Sequence, residues 1–341
     1  MSTSIPLESR VEGALLGLAV CDALGGPVEF KSRGTFSRVE DMLPNHNFGL
    51  PPGCFTDDTS MALCLAQSLV DNGGQSNILD QVRKYISWWT TGYLSSTGAC
   101  FDIGVSTCQV LERWSEHLET DYEHLNPESK AAQDALDEIV QKIERVYNQE
   151  AFCGNGSLMR VLPAALVARD EAHAVQLARD SSQPTHPHAR CVDACALYAR
   201  LVFHALGRAS KAELAATLSR LLHDESGPQL EPVLRARLQG YQSLADWKAK
   251  PESDIRSTGY VVDSLEASLW AFFSTDGFQD GAVRVVNLGD DADTVGAIYG
   301  GLAGAHYGGG EIPSTWLQAM HRMDLLNELV EKILMLRAGP T

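Results

Sequence analysis

Apolar residues recur at intervals of three and four along almost the whole chain, and this pattern limits the fold more than any other feature. Such spacing places apolar side chains on one face of an α-helix. Alternating β-branched residues are nearly absent, and the two brief candidates, at 259–262 and 282–286, stand in helical surroundings. We therefore predict an all-α protein. The predicted helices cover residues 11–24, 59–72, 78–90, 131–148, 157–168, 188–205, 214–223, 260–274 and 325–336.

Two helical stretches are unusually rich in glycine and alanine: residues 13–19, inside the first predicted helix, and residues 296–305. Each glycine inside a helix costs about 1 kcal/mol relative to alanine, so a run of glycines needs a compensating gain. Close packing of one helix backbone against another is the simplest source of that gain. Both stretches are predicted to be central, tightly packed helices.

Glycine and proline residues fall between the helices, and no linker is long enough to divide the chain. The chain has 341 residues, of which 44% are hydrophobic, and this is ample for a buried core. We predict one compact helical domain over residues 1–341.

The charge balance is acidic, because 44 Asp and Glu residues outnumber 27 Lys and Arg residues and give a formal net charge of −17. Such a surface repels phosphate backbones, so general nucleic-acid binding is disfavoured. A small anionic ligand would need local cations, backbone N–H groups or metal ions. The eight cysteines are scattered without a CxxC pair, which favours buried, reduced thiols over a zinc site.

The N-terminal region has no basic segment followed by a long apolar run. The apolar stretch at 15–20 is too short for a signal core or a membrane span, and Asp22 follows it. A cytoplasmic protein without a membrane partner is the resulting expectation.

The first acidic motif is Thr56-Asp57-Asp58-Thr59, between a Pro/Gly loop and an apolar helix. Adjacent carboxylates repel each other unless they are exposed, lie at a helix N-terminus, or share a cation. An ordinary helix cap by Asp58 or Thr59 is the alternative to a functional role.

A second acidic motif, Asp290-Asp291-Ala292-Asp293-Thr294, opens the glycine-rich helix. Three carboxylates in four residues exceed what capping requires. If the two motifs face each other, they offer carboxylate and hydroxyl oxygens, a set that suits Mg²⁺ or Mn²⁺ and lacks the His and Cys ligands of zinc. Two such ions sharing carboxylates could hold vicinal oxygens and polarise a water.

Four other places carry candidate chemistry. Glu29 follows Gly-Gly-Pro between Val28 and Phe30, so we expect a carboxylate in apolar surroundings, as a base, a metal-gating ligand or a structural ion pair. Asp102 could cap the next helix or receive a guanidinium. His186 could contact a ribose or a phosphate of a ligand, and a surface or capping role is the alternative. The fourth place is a glycine-rich loop whose N–H groups could hold phosphate, made of Gly154, Asn155, Gly156 and Ser157.

In this order, six segments resemble the ADP-ribosylglycohydrolase family, and most of all its bacterial branch, typified by dinitrogenase reductase-activating glycohydrolase. The resemblance covers about residues 11–308. The segments are GALLGLAVCDALGGPVEF, FTDDTSMAL, SSTGACFDIG, GNGSLMRVLPAAL, STGYVVDSLEASLWA and NLGDDADTVGAIYGGLAGAHYG. Any one of them is only suggestive, whereas all six in order make a chance match very unlikely.

The resemblance implies an orthogonal all-α domain with a core at about 11–308 and a centre of two Mg²⁺ or Mn²⁺ ions. Asp290 stands where relatives often have glycine and is left out of the ligands. The implied catalytic residues are Glu29, beside the metals, and Asp102, near the scissile bond. The implied ligands are Thr56, Asp57, Asp58, Asp291, Asp293 and Thr294, and the implied substrate contacts are Gly154, Asn155, Gly156, Ser157, His186 and Tyr260.

The implied activity is release of ADP-ribose from a modified protein, with ADP-ribose as product. The SSTGACFDIG segment favours the arginine-linked substrate over the serine-linked one. Hydrolysis of another ADP-ribosyl bond, such as O-acetyl-ADP-ribose, non-catalytic ADP-ribose binding, and a structural crystallin-like role are the alternatives. The protein is expected to be a monomer.

Overall fold

The computed structural model describes residues 5–224 and 229–339, and within them the chain is built of α-helices joined by short turns. The described part has no β-strand beyond isolated bridges such as the one between Gly154 and Tyr260, so the predicted all-α fold is confirmed. The predicted domain, 1–341, also includes residues 1–4, 225–228 and 340–341, which lie outside the described ranges. The helices are α1 Leu7–Gly25, α2 Asp57–Asp71, α3 Ile78–Thr91, α4 Val105–His117, α5 Lys130–Tyr147, α6 Leu162–Val167, α7 Glu171–Ser182, α8 Ala189–Leu206, α9 Lys211–His223, α10 Pro232–Leu238, α11 Leu244–Ala249, α12 Val261–Ser274, α13 Phe278–Val286, α14 Ala292–Tyr307, α15 Ser314–Ala319 and α16 Met323–Ala338.

The two glycine-rich helices, α1 and α14, lie antiparallel with their backbones in contact. A Cβ added at Gly17 would collide with the carbonyl of Gly300, and one added at Gly304 would collide with the carbonyl of Gly13. The contact between these central helices confirms the prediction from their small residues. Because Gly25 lies equally close to the backbone of Asp293, the C-terminal end of α1 meets the N-terminal turn of α14.

Helix α14 is enclosed on its other sides as well. The Tyr198 hydroxyl on α8 donates to the carbonyl of Ile298 at 2.7 Å, and the Ser268 hydroxyl on α12 donates to that of Val295 at 2.9 Å. These bonds to backbone carbonyls fix α14 in the core. The first residues of α14 are therefore held in place by its neighbours.

The predicted helix at 157–168 was too long, because α6 spans only Leu162–Val167. Pro163 lies in its first turn, where a missing N–H costs nothing, and the residues before it form a separate turn. The N–H of Leu158 donates to the carbonyl of Asn155 at 2.8 Å in that turn. The sequence pattern also failed to predict α4, α7 and α13 as separate helices.

By length and composition alone, the stretch Leu7–Val28 could cross a membrane, so the apolar run is longer than the 15–20 taken from the sequence. However, 94% of its most apolar window is buried against the rest of the protein. The packing of α1 on α14 accounts for that burial, as expected for a core helix.

Candidate metal centre

The N-terminal turn of α2 is buried, and its capping group comes from another helix. Thr56 is the N-cap residue but makes no side-chain cap. Instead the carboxylate of Asp22 on α1 accepts the N–H of Thr56 at 3.0 Å, its hydroxyl at 2.9 Å, and the N–H of Thr59 at 3.0 Å. The hydroxyl of Thr59 also donates to it. Because Asp22 takes these donors, Asp57 and Asp58 are left available for another role.

Asp22 belongs to this site, although no role was predicted for it from the sequence. It is fully buried, and its oxygens lie within 4.8 Å of those of Asp58 and Asp293. The available signal was a lone carboxylate in the stretch 13–25 of α1, which otherwise has only small and apolar residues, one turn before Gly25.

The two acidic motifs face each other, as expected if they share a cation. Asp293, in the first turn of α14, is 1% exposed. The hydroxyl of Thr294 donates to Asp58 at 3.3 Å and so connects α14 to α2. The amide of Asn155 donates to Asp291. Asp290 is exposed, in keeping with its exclusion from the predicted ligands.

Glu29 and Asp102 form a second group with Asp293, in which one carboxylate oxygen of each residue lies within 4.8 Å of the others. The expected apolar surroundings of Glu29 were wrong in part. Val28 is buried, but Phe30 is 71% exposed, and the groups that act on Glu29 are carboxylates. Asp102 does not cap the next helix, since Gly104 is the N-cap of α4 and no side-chain cap is formed there.

Burial and mutual repulsion make this cluster unfavourable as a set of free anions. Burial, followed by the charge of Asp102, raises the pKa of Glu29 to about 11. Burial raises the pKa of Asp102 and of Asp22 to about 6 each. The pKa values of three more carboxyls are also raised well above the ordinary range, first by burial and then by neighbouring carboxylates: Asp57, Asp58 and Asp293.

Three carboxylate oxygens of the cluster are buried without a hydrogen-bond donor: Oε2 of Glu29, Oδ1 of Asp58 and Oδ2 of Asp102. Buried polar atoms are normally paired, and a buried carboxylate without a donor is costly. A divalent cation would satisfy both the unpaired oxygens and the excess negative charge. The residues present therefore fit a hard metal ion bound through oxygen.

The cluster opens into a cavity of about 770 Å³, a size suited to a nucleotide-like ligand. The glycine-rich loop forms one wall, and a Cβ added at Gly156 would lie 2.9 Å from Cε1 of His186. Burial, and then the charge of Arg160, lowers the pKa of His186 to about 3, so its ring is neutral. The predicted residues that line the cavity are Glu29, Asp57, Asp102, Gly154, Asn155, Gly156, His186, Asp291, Asp293 and Thr294.

Two predicted substrate contacts do not line this cavity. Ser157 is fully buried, and its hydroxyl accepts a hydrogen bond from Ser182 at 2.8 Å. The ring of Tyr260 lies 5.8 Å from the guanidinium carbon of Arg190. Their contact with substrate stays a prediction. Thr56 and Asp58 lie behind the lining, 1% exposed each, in the floor of the cluster.

Comparison with known proteins agrees with the resemblance seen in the sequence. The family model described as ADP-ribosylglycohydrolase matches residues 3–341. ADP-ribosylarginine hydrolase Tri1 of Serratia proteamaculans (strain 568) is 32% identical over 326 residues, which are 95% of this chain and 78% of that protein. ADP-ribosyl-[dinitrogen reductase] glycohydrolase of Rhodospirillum rubrum is 30% identical over 325 residues, or 93% of this chain and 92% of that one.

A solved structure titled ADP-ribosylglycohydrolase-related protein complex superposes with a TM-score of 0.74 at 36% identity. The match covers 97% of this chain and 98% of the solved one, so the whole helical arrangement is shared. On the family match and these near full-length similarities, the chain belongs to the ADP-ribosylglycohydrolase family.

Proposed function

We propose that this protein is a metal-dependent hydrolase that removes ADP-ribose from modified arginine side chains of target proteins. The observation that carries the proposal is the buried carboxylate cluster at the junction of α1, α2 and α14, open to a nucleotide-sized cavity. The relatives named as an ADP-ribosylarginine hydrolase and an ADP-ribosyl-[dinitrogen reductase] glycohydrolase support the linkage.

Six residues would hold the metal, which we propose to be a pair of Mg²⁺ or Mn²⁺ ions. A bound divalent pair would supply positive charge where the ribose hydroxyls and water meet the protein. The ligand residues would also keep the ribose in one orientation, because their carboxylates are fixed by α2 and α14. The proposed ligands are Thr56, Asp57, Asp58, Asp291, Asp293 and Thr294.

Glu29 would act on the attacking water, and Asp102 would act on the leaving arginine. Glu29 has one oxygen without a donor, and it lies at the edge of the cavity beside the cluster. In its ionised form it can accept a proton from the water that attacks the anomeric carbon of the ribose. Asp102, across the same edge, can accept hydrogen bonds from the guanidinium of the leaving arginine.

The loop at 154–157 and the start of α4 would receive the phosphates. The described residues that line the cavity include no Lys or Arg, so side-chain cations do not supply this contact. Backbone N–H groups at a glycine-rich turn and at a helix start can do so. Anion binding in an acidic protein is thereby accounted for.

The test is release of ADP-ribose from two synthetic peptides, one arginine-modified and one serine-modified, with Mg²⁺ or Mn²⁺ and with EDTA. We expect metal-dependent release from the arginine-modified peptide. Asp293→Asn should abolish metal binding, measured by calorimetry, together with turnover, whereas Asp276→Asn on the surface should change neither. Full turnover by the Asp293 variant, or full activity in EDTA, contradicts a metal-dependent mechanism.

Release from the serine-modified peptide alone would instead assign the O-linked substrate class. Binding of ADP-ribose without release from any substrate would indicate a non-catalytic binding protein. That the protein is a cytoplasmic monomer remains a prediction.

A further inference from the structure

Phe30 is an exposed aromatic residue at the edge of the catalytic cavity. It is 71% exposed, and among the described residues it is the only Phe, Tyr or Trp with so exposed a side chain. Val105, 75% exposed, is the other such residue that the structure describes in the cavity lining. Phe30 directly follows Glu29, the proposed proton acceptor, and both residues line the cavity.

The backbone holds Phe30 in this exposed position. Its φ of 63° is in the left-handed region, which residues with a side chain rarely adopt. The N–H of Phe30 donates to the carbonyl of Asp290 at 2.7 Å, and the N–H of Asp290 donates to the carbonyl of Lys31 at 2.8 Å. A strained conformation that is held on both sides of one residue indicates a functional constraint, because nothing in the core uses the ring.

The charges around Phe30 determine which group can contact it. Carboxylates of Glu29, Asp102 and Asp290 line the same cavity, and its described lining has no cationic side chain. Asp290 is exposed and lies outside the proposed ligand set. A cation with a flat face and an apolar stem would be attracted to the carboxylates and would stack on the aromatic ring.

We propose that Phe30 is a specificity-determining residue that packs against the arginine side chain carrying the ADP-ribose. The guanidinium plane and methylenes of that arginine would lie on the ring, while Asp102 and Asp290 provide the opposite charge. This inference rests on the proposed function, since it concerns the leaving side of the same reaction. A serine-linked substrate offers no group of this kind to the ring.

The test compares Phe30→Ala, Phe30→Tyr and the exposed control Met335→Ala on arginine-modified and serine-modified peptides. Met335 is 69% exposed on α16 and is not one of the residues that line the cavity. We expect Phe30→Ala to lower kcat/KM for the arginine-modified peptide about three- to tenfold, mainly through KM, as for loss of a cation–π contact. Phe30→Tyr should retain most of the activity, and Met335→Ala should match the wild type.

Free ADP-ribose lacks the leaving arginine and so separates a role in substrate recognition from a structural one. Its dissociation constant, measured by calorimetry with Mg²⁺, should be the same in Phe30→Ala as in the wild type. The role of Phe30 is overturned if the variant binds ADP-ribose more weakly by the same factor, if both peptides lose activity equally, or if the arginine-modified peptide is unaffected. Wild-type protein active only on the serine-modified peptide would overturn the arginine linkage and the role of Phe30 together.

Discussion

Removal of the metal should leave a protein that becomes more stable as the pH falls from 8 to 5, because its buried carboxylates then take up protons. Asp22 and Asp102 titrate within this range, since burial raises the pKa of each to about 6, whereas Glu29, whose pKa is raised to about 11, keeps its proton over the whole of it. A carboxyl with a raised pKa binds its proton more tightly in the folded protein than in the unfolded chain. Its stabilising contribution is therefore present at low pH and is lost as the pH rises through about 6.

The magnitude follows from the pH range over which the two states differ. As the pH falls from 8 to 5, each of these two carboxyls becomes largely protonated in the folded protein, whereas an unfolded aspartate with a pKa of about 3.9 remains ionised. Summed over this range the difference amounts to about one pH unit, or about 1.4 kcal/mol, for each group, so the two carboxyls give about 3 kcal/mol. Glu29, which is protonated throughout in the folded protein and ionised in the unfolded chain, adds about 1.4 kcal/mol for each pH unit. The part due to Asp22 and Asp102 should appear mainly below about pH 6.5, and the part due to Glu29 should be spread evenly over the range.

The assay is urea-induced unfolding followed by circular dichroism, at pH 8, 6 and 5, in EDTA and in Mg²⁺ or Mn²⁺. The metal-loaded protein should be the more stable form at pH 8, and its advantage should shrink toward pH 5 as protons compete with the ions. Asp22→Asn should remove about 1.4 kcal/mol of the gain in EDTA, the share of one such carboxyl. If EDTA has no effect on stability at pH 8, or if the EDTA form loses stability between pH 6 and 5, the cluster is not a cation site of this kind.

Three further substitutions test separate parts of the molecule. Glu29→Gln should keep metal binding but slow hydrolysis at least about 100-fold, the usual loss for a general base, and an unchanged kcat would exclude that role. Asp102→Ala should reduce kcat/KM for an arginine-modified peptide far more than for a serine-modified one; equal losses would argue against guanidinium recognition. Gly300→Ala should destabilise the protein by about 1–3 kcal/mol in urea, because its Cβ would meet the carbonyl of Gly17 on α1. Gly240, where an added Cβ meets nothing within 4 Å, provides the matched control, and similar losses in both variants would contradict the close α1–α14 contact.

The sequence predicted the helices with strong apolar periodicity and the pairing of the two acidic motifs. It did not predict α4, because Val105 at its start is exposed and Gly104, not a Ser, Thr, Asp or Asn, is its N-cap. The sequence therefore lacks the usual N-cap signal for α4, although the start of this helix lines the cavity.

The same limit explains why Asp22 and Phe30 were not assigned a role. Each depends on a partner distant in sequence: Asp22 caps a helix that starts 35 residues later, and Phe30 is fixed by the backbone of Asp290. A pattern within one segment contains no information about such contacts. In contrast, the small residues of α1 and α14 did predict that both helices pack closely in the core, because glycine runs in helices have few other causes.

The close α1–α14 contact is also what makes the carboxylate cluster possible. Gly25 lets the last turn of α1 lie against the backbone of Asp293, and this places Asp22 within reach of both acidic turns. The N–H groups at the start of α2 then stabilise the negative charge of Asp22, while Asp58 keeps an oxygen without a donor. Backbone N–H groups at a helix start thus allow some of these carboxylates to be buried without a Lys or Arg partner, while others keep an oxygen without a hydrogen-bond donor. They remain available to a cation, so the glycines of the core and the acidic motifs belong to one arrangement.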